Sequence, residues 1–189
     1  MQVVLGYVGL LWLVEGVDSA VFDQRLELYG IQPREQDGAI GILFAPLLHT
    51  DWTHLVSNTV PLLVLGFLLG LAGLGYVLGV TAVVWLVGGL GVWLLGPDNT
   101  LHLGASVIVF GWLTCLIVRG FVSRHPGQVA IGVLVLILYG GALWGVLPGQ
   151  PGVSWQGHLF GAVGGVLAAV MLTDRHRPAR RSLRQSGLR

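Results

Sequence analysis

Six apolar runs of about twenty residues constrain this chain more than any other feature. They fall at roughly 3–22, 54–72, 75–95, 104–121, 129–147 and 155–173. A run of that length matches the hydrocarbon thickness of a bilayer, and backbone polar groups in lipid must be satisfied within the segment. The expected fold is therefore all-α, a polytopic membrane protein with a six-transmembrane-helix bundle. Charge supports this, since 10% of the 189 residues are Asp, Glu, Lys or Arg, against about a quarter in soluble domains. The first run lacks a basic leader and carries Glu15, so it reads as a span and not as a cleaved signal. One domain over 1–173 and an Arg-rich tail over 174–189 complete the organisation. Cys115 lies within an apolar run, where it reads as a small buried side chain.

The arginines orient the spans. There is no lysine, and six of ten arginines crowd the last fifteen residues. Beside so apolar a chain, a basic tail points to anionic lipid and not to nucleic acid. An even number of spans puts both termini on one side. With that side cytoplasmic, Arg119 and Arg124 join the tail inside, while Arg25 and Arg34 lie outside among acidic residues. Trp52 and Trp155 then fall at the outer interface.

Polar groups inside spans are expensive and mark function. On this orientation His54 and Asn58 open the second span, Ser106 the fourth and His158 the sixth, all at the outer end. From Ala105 to Arg119 is about 15 residues, roughly 22 Å of helix against a core of about 30 Å. Ser106 thus starts its helix below the outer surface, at the floor of a wet pocket, where free helix amides favour a developing negative charge. A serine hydroxyl needs an adjacent base, for which neutral histidine suits pH 7. The oxyanion formed on attack needs donors. His54 and Asn58, spaced i and i+4, face one way and supply them. No acidic residue lies near His158 in sequence, so a Ser106–His158 dyad is expected.

These residues resemble the rhomboid family of intramembrane proteases. The matching motifs are HxxxN at His54–Asn58, GxS at Gly104–Ser106 and HxxGxxxG at His158–Gly165, in spans two, four and six. The resemblance implies that Ser106 is the nucleophile and His158 the base. It implies that His54, Asn58 and the Ser106 amide form the oxyanion hole. Phe110 matches an aromatic packed on the base, and Gly161 and Gly165 match glycines that admit the sixth helix to the fourth. The stretch AIGILFAPLL before His49 looks like the family's first loop, partly in the membrane. The implied activity is cofactor-free endopeptidase cleavage in or beside a transmembrane segment of membrane protein substrates, with the lipid bilayer as surroundings and no nucleic acid. The expected location is a bacterial plasma membrane, multi-pass, with both termini cytoplasmic.

Two departures stand out. Val107 replaces the family's glycine after the serine, which implies a narrower pocket or a shifted amide. GIQPR stands where many members carry a Trp-Arg pair in the first loop. Rival readings remain. His49, Asp51 and His54 with His158 are metal-ligand types for a membrane hydrolase, although this leaves Ser106 and Asn58 without a role and no HExxH is present. An inactive rhomboid-like client-binding protein retains the fold alone. A transporter needs polar features at the midplane, whereas these cluster near one face. His102 reads as a loop hydrogen-bonding residue. Glu15 and Asp18 read as structural or interfacial, and His49 and Asp51 as ordering the loop before the second span.

Overall fold

The structure is a computed structural model that describes residues 1–173; the Arg-rich tail lies outside the described residues. Six membrane-length helical segments run along the chain. We label them α1 (Gln2–Val17, continued by a π-helical turn at Asp18–Phe22), α2 (Trp52–Gly70), α3 (Leu74–Leu95), α4 (Ser106–Ser123), α5 (Pro126–Tyr139, continued by a 3-10 segment at Gly140–Val146) and α6 (Trp155–Leu172). Among the described residues the one β-bridge is antiparallel and joins Ile31 to His102. The fold is thus the all-helical six-span bundle that the apolar runs dictate.

The ends of the helices follow local chemistry. α2 starts two residues before the apolar run because Asp51 caps it, accepting the His54 amide at 2.8 Å. α5 starts early because Pro126 occupies its first turn behind the His125 cap. α4 starts later than the run suggests, at Ser106, because Gly104 sits at φ +120°, outside helical space. Pro61 lies inside α2, which a membrane bundle tolerates when neighbouring groups satisfy the freed backbone.

α4 is the central helix: 67% of its membrane-length window is buried inside the protein, against 11% for the fifth span. It packs most closely on α6, and α6 in turn on α3. Glycine permits this. A Cβ at Gly161 of α6 would collide with the Val107 carbonyl of α4, and one at Gly165 with the Gly111 carbonyl. Gly164 faces Val84 of α3. Thr114 Oγ1 adds a bond from α4 to the Ala162 carbonyl at 2.8 Å. Gly157, which the four-residue spacing places on the same face, instead abuts the Ser154 cap of its own helix.

The long connection between α1 and α2 lies against α3. Trp85 Nε1 donates to the Ile42 carbonyl at 2.7 Å, Trp93 Nε1 donates to the Glu35 carbonyl at 3.0 Å, and Arg34 forms an ion pair with Asp98. Arg34, within GIQPR, thus ties the first loop to the end of α3. At the C-terminal end of α1, Asp18 accepts the Leu26 amide at 3.0 Å and is buried together with Glu15.

Candidate active site

The N-terminal ends of α2, α4 and α6 converge on one point. Gly104 marks it: a Cβ there would lie 2.8 Å from His54 Nε2 and 3.7 Å from Ser106 Oγ, so these two groups flank the same α-carbon. Gly104 is required twice, by its positive φ and by the His54 ring against it. Its amide donates to the Ala45 carbonyl at 2.9 Å, and the next amide, of Ala105, donates to His49 Nε2 at 3.5 Å. The backbone leading into Ser106 is therefore held from outside before the helix begins. Ser106 is the first residue of α4, where its amide has no intrahelical acceptor.

His158, one turn into α6, stacks on Phe110 with centroids 4.0 Å apart and planes inclined by 9°. Phe110 is one turn after Ser106, so the stack places the imidazole beside the helix that begins with the serine. No direct hydrogen bond joins Ser106 to His158 among the described residues. His158 Nδ1 lies 3.0 Å from the Gly145 carbonyl oxygen. A carbonyl only accepts, so Nδ1 carries the proton and Nε2 keeps its lone pair. The place an acidic residue fills in a triad is taken here by a backbone oxygen from the 3-10 segment after α5. Sequence reasoning missed this group, since a carbonyl leaves no mark on composition.

His54 is half-buried, with Nδ1 3.3 Å from Thr50 Oγ1. Thr50 has one hydroxyl proton and two acceptors at nearly equal range, His54 Nδ1 and Asp51 Oδ2 at 3.2 Å. When it turns to Nδ1, a neutral His54 carries its proton on Nε2, toward Gly104 and Ser106. Asn58 is buried one turn further on, and its Nδ2 donates to the His54 carbonyl at 3.1 Å. A second N–H remains on the same amide nitrogen.

A small, partly open cleft adjoins Ser106, walled by Gly88, Val92, His102, Gly104, Val107 and Ser154 among others. Val107 is buried, and its Cγ2 fills the space that a Cβ on Gly88 of α3 would need. The branched residue after the serine is thus received by a glycine on the neighbouring helix.

The metal reading finds no donor set. His49 and His54 meet edge to face at 5.1 Å, Asp51 is occupied as a helix cap, and among the described residues no three His, Cys, Asp or Glu side chains gather in a metal-binding group. His49 is buried and spends Nε2 on Ala105. Burial first, and the His54 ring second, hold its pKa down to about 3 against the opposing pull of Asp51. Asp51 is held below the ordinary carboxylate range, chiefly by the His54 amide bonded to it.

A Rhomboid domain family model matches residues 36–175. Uncharacterised proteins of Mycobacterium tuberculosis and Mycobacterium bovis are each 50% identical to this chain over 194 residues, covering 98% of it and 80% of their own length. An uncharacterised protein of Mycobacterium leprae is 47% identical over 192 residues, covering 97% of this chain and 75% of its own. With the domain match spanning most of the chain, and half the residues shared with relatives matched over 80% of their length, this protein belongs to the rhomboid family.

Proposed function

We propose that this chain is an intramembrane serine endopeptidase that hydrolyses a peptide bond in or beside a transmembrane segment of a membrane protein. One observation carries the reading: His158 is stacked on the helix that begins with Ser106 and has its Nδ1 proton committed to Gly145. That leaves Nε2 free as a base. Family membership supports the same chemistry.

Ser106 Oγ attacks the scissile carbonyl carbon while His158 Nε2 takes the hydroxyl proton. The negative charge that forms on the carbonyl oxygen meets the Ser106 amide, His54 Nε2–H and the remaining Asn58 Nδ2–H. Collapse breaks the C–N bond, and the leaving nitrogen takes the proton from His158. Water then loses a proton to His158 as its oxygen attacks the Ser106 ester; the C–O bond to Ser106 breaks, Ser106 Oγ takes that proton back from His158, and the new carboxylic acid leaves and ionises. Phe110 keeps the imidazole plane fixed through both halves. Nothing in this sequence calls for a cofactor or a metal. The arginine distribution supports both termini in the cytoplasm of a bacterial plasma membrane, so water and substrate meet the site near the outer face.

The test uses purified protein in detergent, a fluorophosphonate probe and a transmembrane model substrate. Wild-type protein labels at Ser106 and cleaves the substrate; Ser106→Ala does neither, and His158→Ala loses about 10³-fold or more in rate. Cleavage that survives Ser106→Ala would sink the proposal. Substrate binding without labelling or cleavage in the wild type would favour the client-binding reading, and loss of activity on chelation would favour the metal one.

A further inference from the structure

His102 has no part in the chemistry above, yet three segments meet on it. Its backbone forms both hydrogen bonds of the bridge to Ile31, at 2.8 and 3.0 Å, which fixes it to the first loop. Its side chain is buried and joins two hydroxyls: Nε2 lies 2.8 Å from Thr100 Oγ1, and Nδ1 2.7 Å from Ser154 Oγ. The proton positions follow from the ends of the chain. Thr100 donates to the Pro97 carbonyl at 2.7 Å, so its oxygen must accept from His102 Nε2–H. Nδ1 is then bare and accepts from the Ser154 hydroxyl. Ser154 Oγ in turn accepts the Gly157 amide at 3.2 Å.

Ser154 is the N-cap of α6, the helix that carries the base. Its side chain holds the Gly157 amide, and its carbonyl accepts the His158 amide at 3.1 Å. The residue bonded to His102 therefore fixes the turn on which His158 sits. The other end of the relay, Thr100 to Gly104, is the loop that delivers Ser106. Two helices with no direct Ser106–His158 bond are thus tied at their starts through one imidazole. We propose that His102 is a positioning residue for the reaction: through Ser154 it sets the first turn of α6, and so the placement of His158 relative to Ser106. The inference rests on the reading of Ser106 and His158 as nucleophile and base.

Burial lowers the His102 pKa, which keeps the ring in the neutral form that the relay requires. A small displacement of a reacting group is enough to lower a rate by up to about a hundredfold.

The experiment compares purified full-length wild type, His102→Phe, His102→Asn, Ser154→Ala and the His102→Phe/Ser154→Ala double variant. Each is assayed for kcat and KM on a transmembrane model substrate and for fluorophosphonate labelling, with thermal unfolding measured alongside. His102→Phe lowers kcat and labelling about tenfold or more while KM stays within about twofold. His102→Asn, whose Oδ1 takes the place of Nδ1 as acceptor, recovers most of the rate. Ser154→Ala resembles His102→Phe, and the double variant falls little further than either, because one link cannot be cut twice. Histidine ¹⁵N shifts show His102 in the Nε2–H form. Wild-type kcat in His102→Phe, independent losses that multiply in the double variant, or a proton on Nδ1 would overturn the inference. If His102→Phe does not fold, the Asn variant and the ¹⁵N signature decide. Wild-type protein that neither labels nor cleaves would bring down the protease reading, and the positioning role with it. A labelling, cleaving wild type with a fully active His102→Phe brings down the positioning role alone.

Discussion

Where α6 meets α4, backbone lies against backbone: Gly161 on the Val107 carbonyl, Gly165 on Gly111. At the helix starts, the same two helices are held by single hydrogen bonds from loops, His49 to Ala105, Ser154 to His102, Gly145 to His158. The seam is built on small residues and closed by shape, with the Thr114 hydrogen bond to the Ala162 carbonyl across it. The rim is polar, and each contact can be lost singly. The proposed intramembrane protease would use both. The seam keeps the helices of Ser106 and His158 at a fixed distance in lipid, where apolar burial gives little association between helices. The rim fixes the proton on His158 Nδ1 and the orientation of the His102 and His158 rings, which the proposed hydrolysis would use. Substitutions in the seam should therefore cost stability, and those at the rim should cost rate or alter pH response.

The largest effect is expected at the seam. Gly165→Leu forces α6 away from α4, because even a Cβ there has no space beside Gly111 and Thr114. A loss of about 3 kcal/mol or more is expected, with activity falling in step with the folded fraction. Thermal unfolding in detergent measures it. An unchanged unfolding temperature would show that the helices are held together by something other than close backbone packing.

An effect that is smaller over any one pH unit separates the rim by pH. The buried His49 ring binds a proton only near pH 3 in the folded protein, against 6.5 for an unperturbed ring. Between those values unfolding takes up a proton. Stability from this group is therefore complete above about pH 6.5 and is lost as pH falls toward 3, at up to about 1.4 kcal/mol per pH unit. His49→Gln keeps an acceptor for the Ala105 amide and removes the titration. The slope of stability against pH in that window should flatten by about one proton in the variant. A slope identical to wild type would place the acid sensitivity on other groups.

How much of this was legible beforehand divides along the same line. The seam is written in the sequence, because span length, glycine spacing and the scarcity of charge are local properties. The motif residues His54, Asn58, Ser106 and His158 stand out in the same way, since polar groups in apolar runs are rare and the arginine bias predicts a common depth for them. The rim was not. The Gly145 carbonyl has no side chain to announce it. The accommodation of Val107 by Gly88 joins residues on different helices, and neither looks unusual alone. The apolar run opens at Gly104 while the helix opens at Ser106, as the depth expected of Ser106 requires, because Gly104 holds a positive φ with the His54 ring packed against it. Asn58, expected as a free donor, already gives one hydrogen to the His54 carbonyl. Hydrogen-bond partners of this kind depend on three-dimensional neighbours that periodicity does not encode.

The smallest effect tests whether the rim contact at the base belongs to catalysis or to folding. A Cβ at Gly145 would lie 3.0 Å from Phe110 Cζ and 3.1 Å from His158 Nδ1, slightly too close for either. In Gly145→Ala the segment must therefore shift by a few tenths of an ångström, carrying its carbonyl off the line of the Nδ1 proton. The Gly140–Val146 segment has no buried residues, so the fold loses little by this. The expected result is a three- to fivefold lower kcat, about 1 kcal/mol or less in the barrier, with KM unchanged. The unfolding temperature should stay within about 2 °C of wild type. A carbonyl that only staples the segment to α6 gives the opposite pattern, a lowered unfolding temperature with kcat intact. That outcome would move Gly145 from the chemistry to the scaffold, and leave the Phe110 stack alone to orient His158.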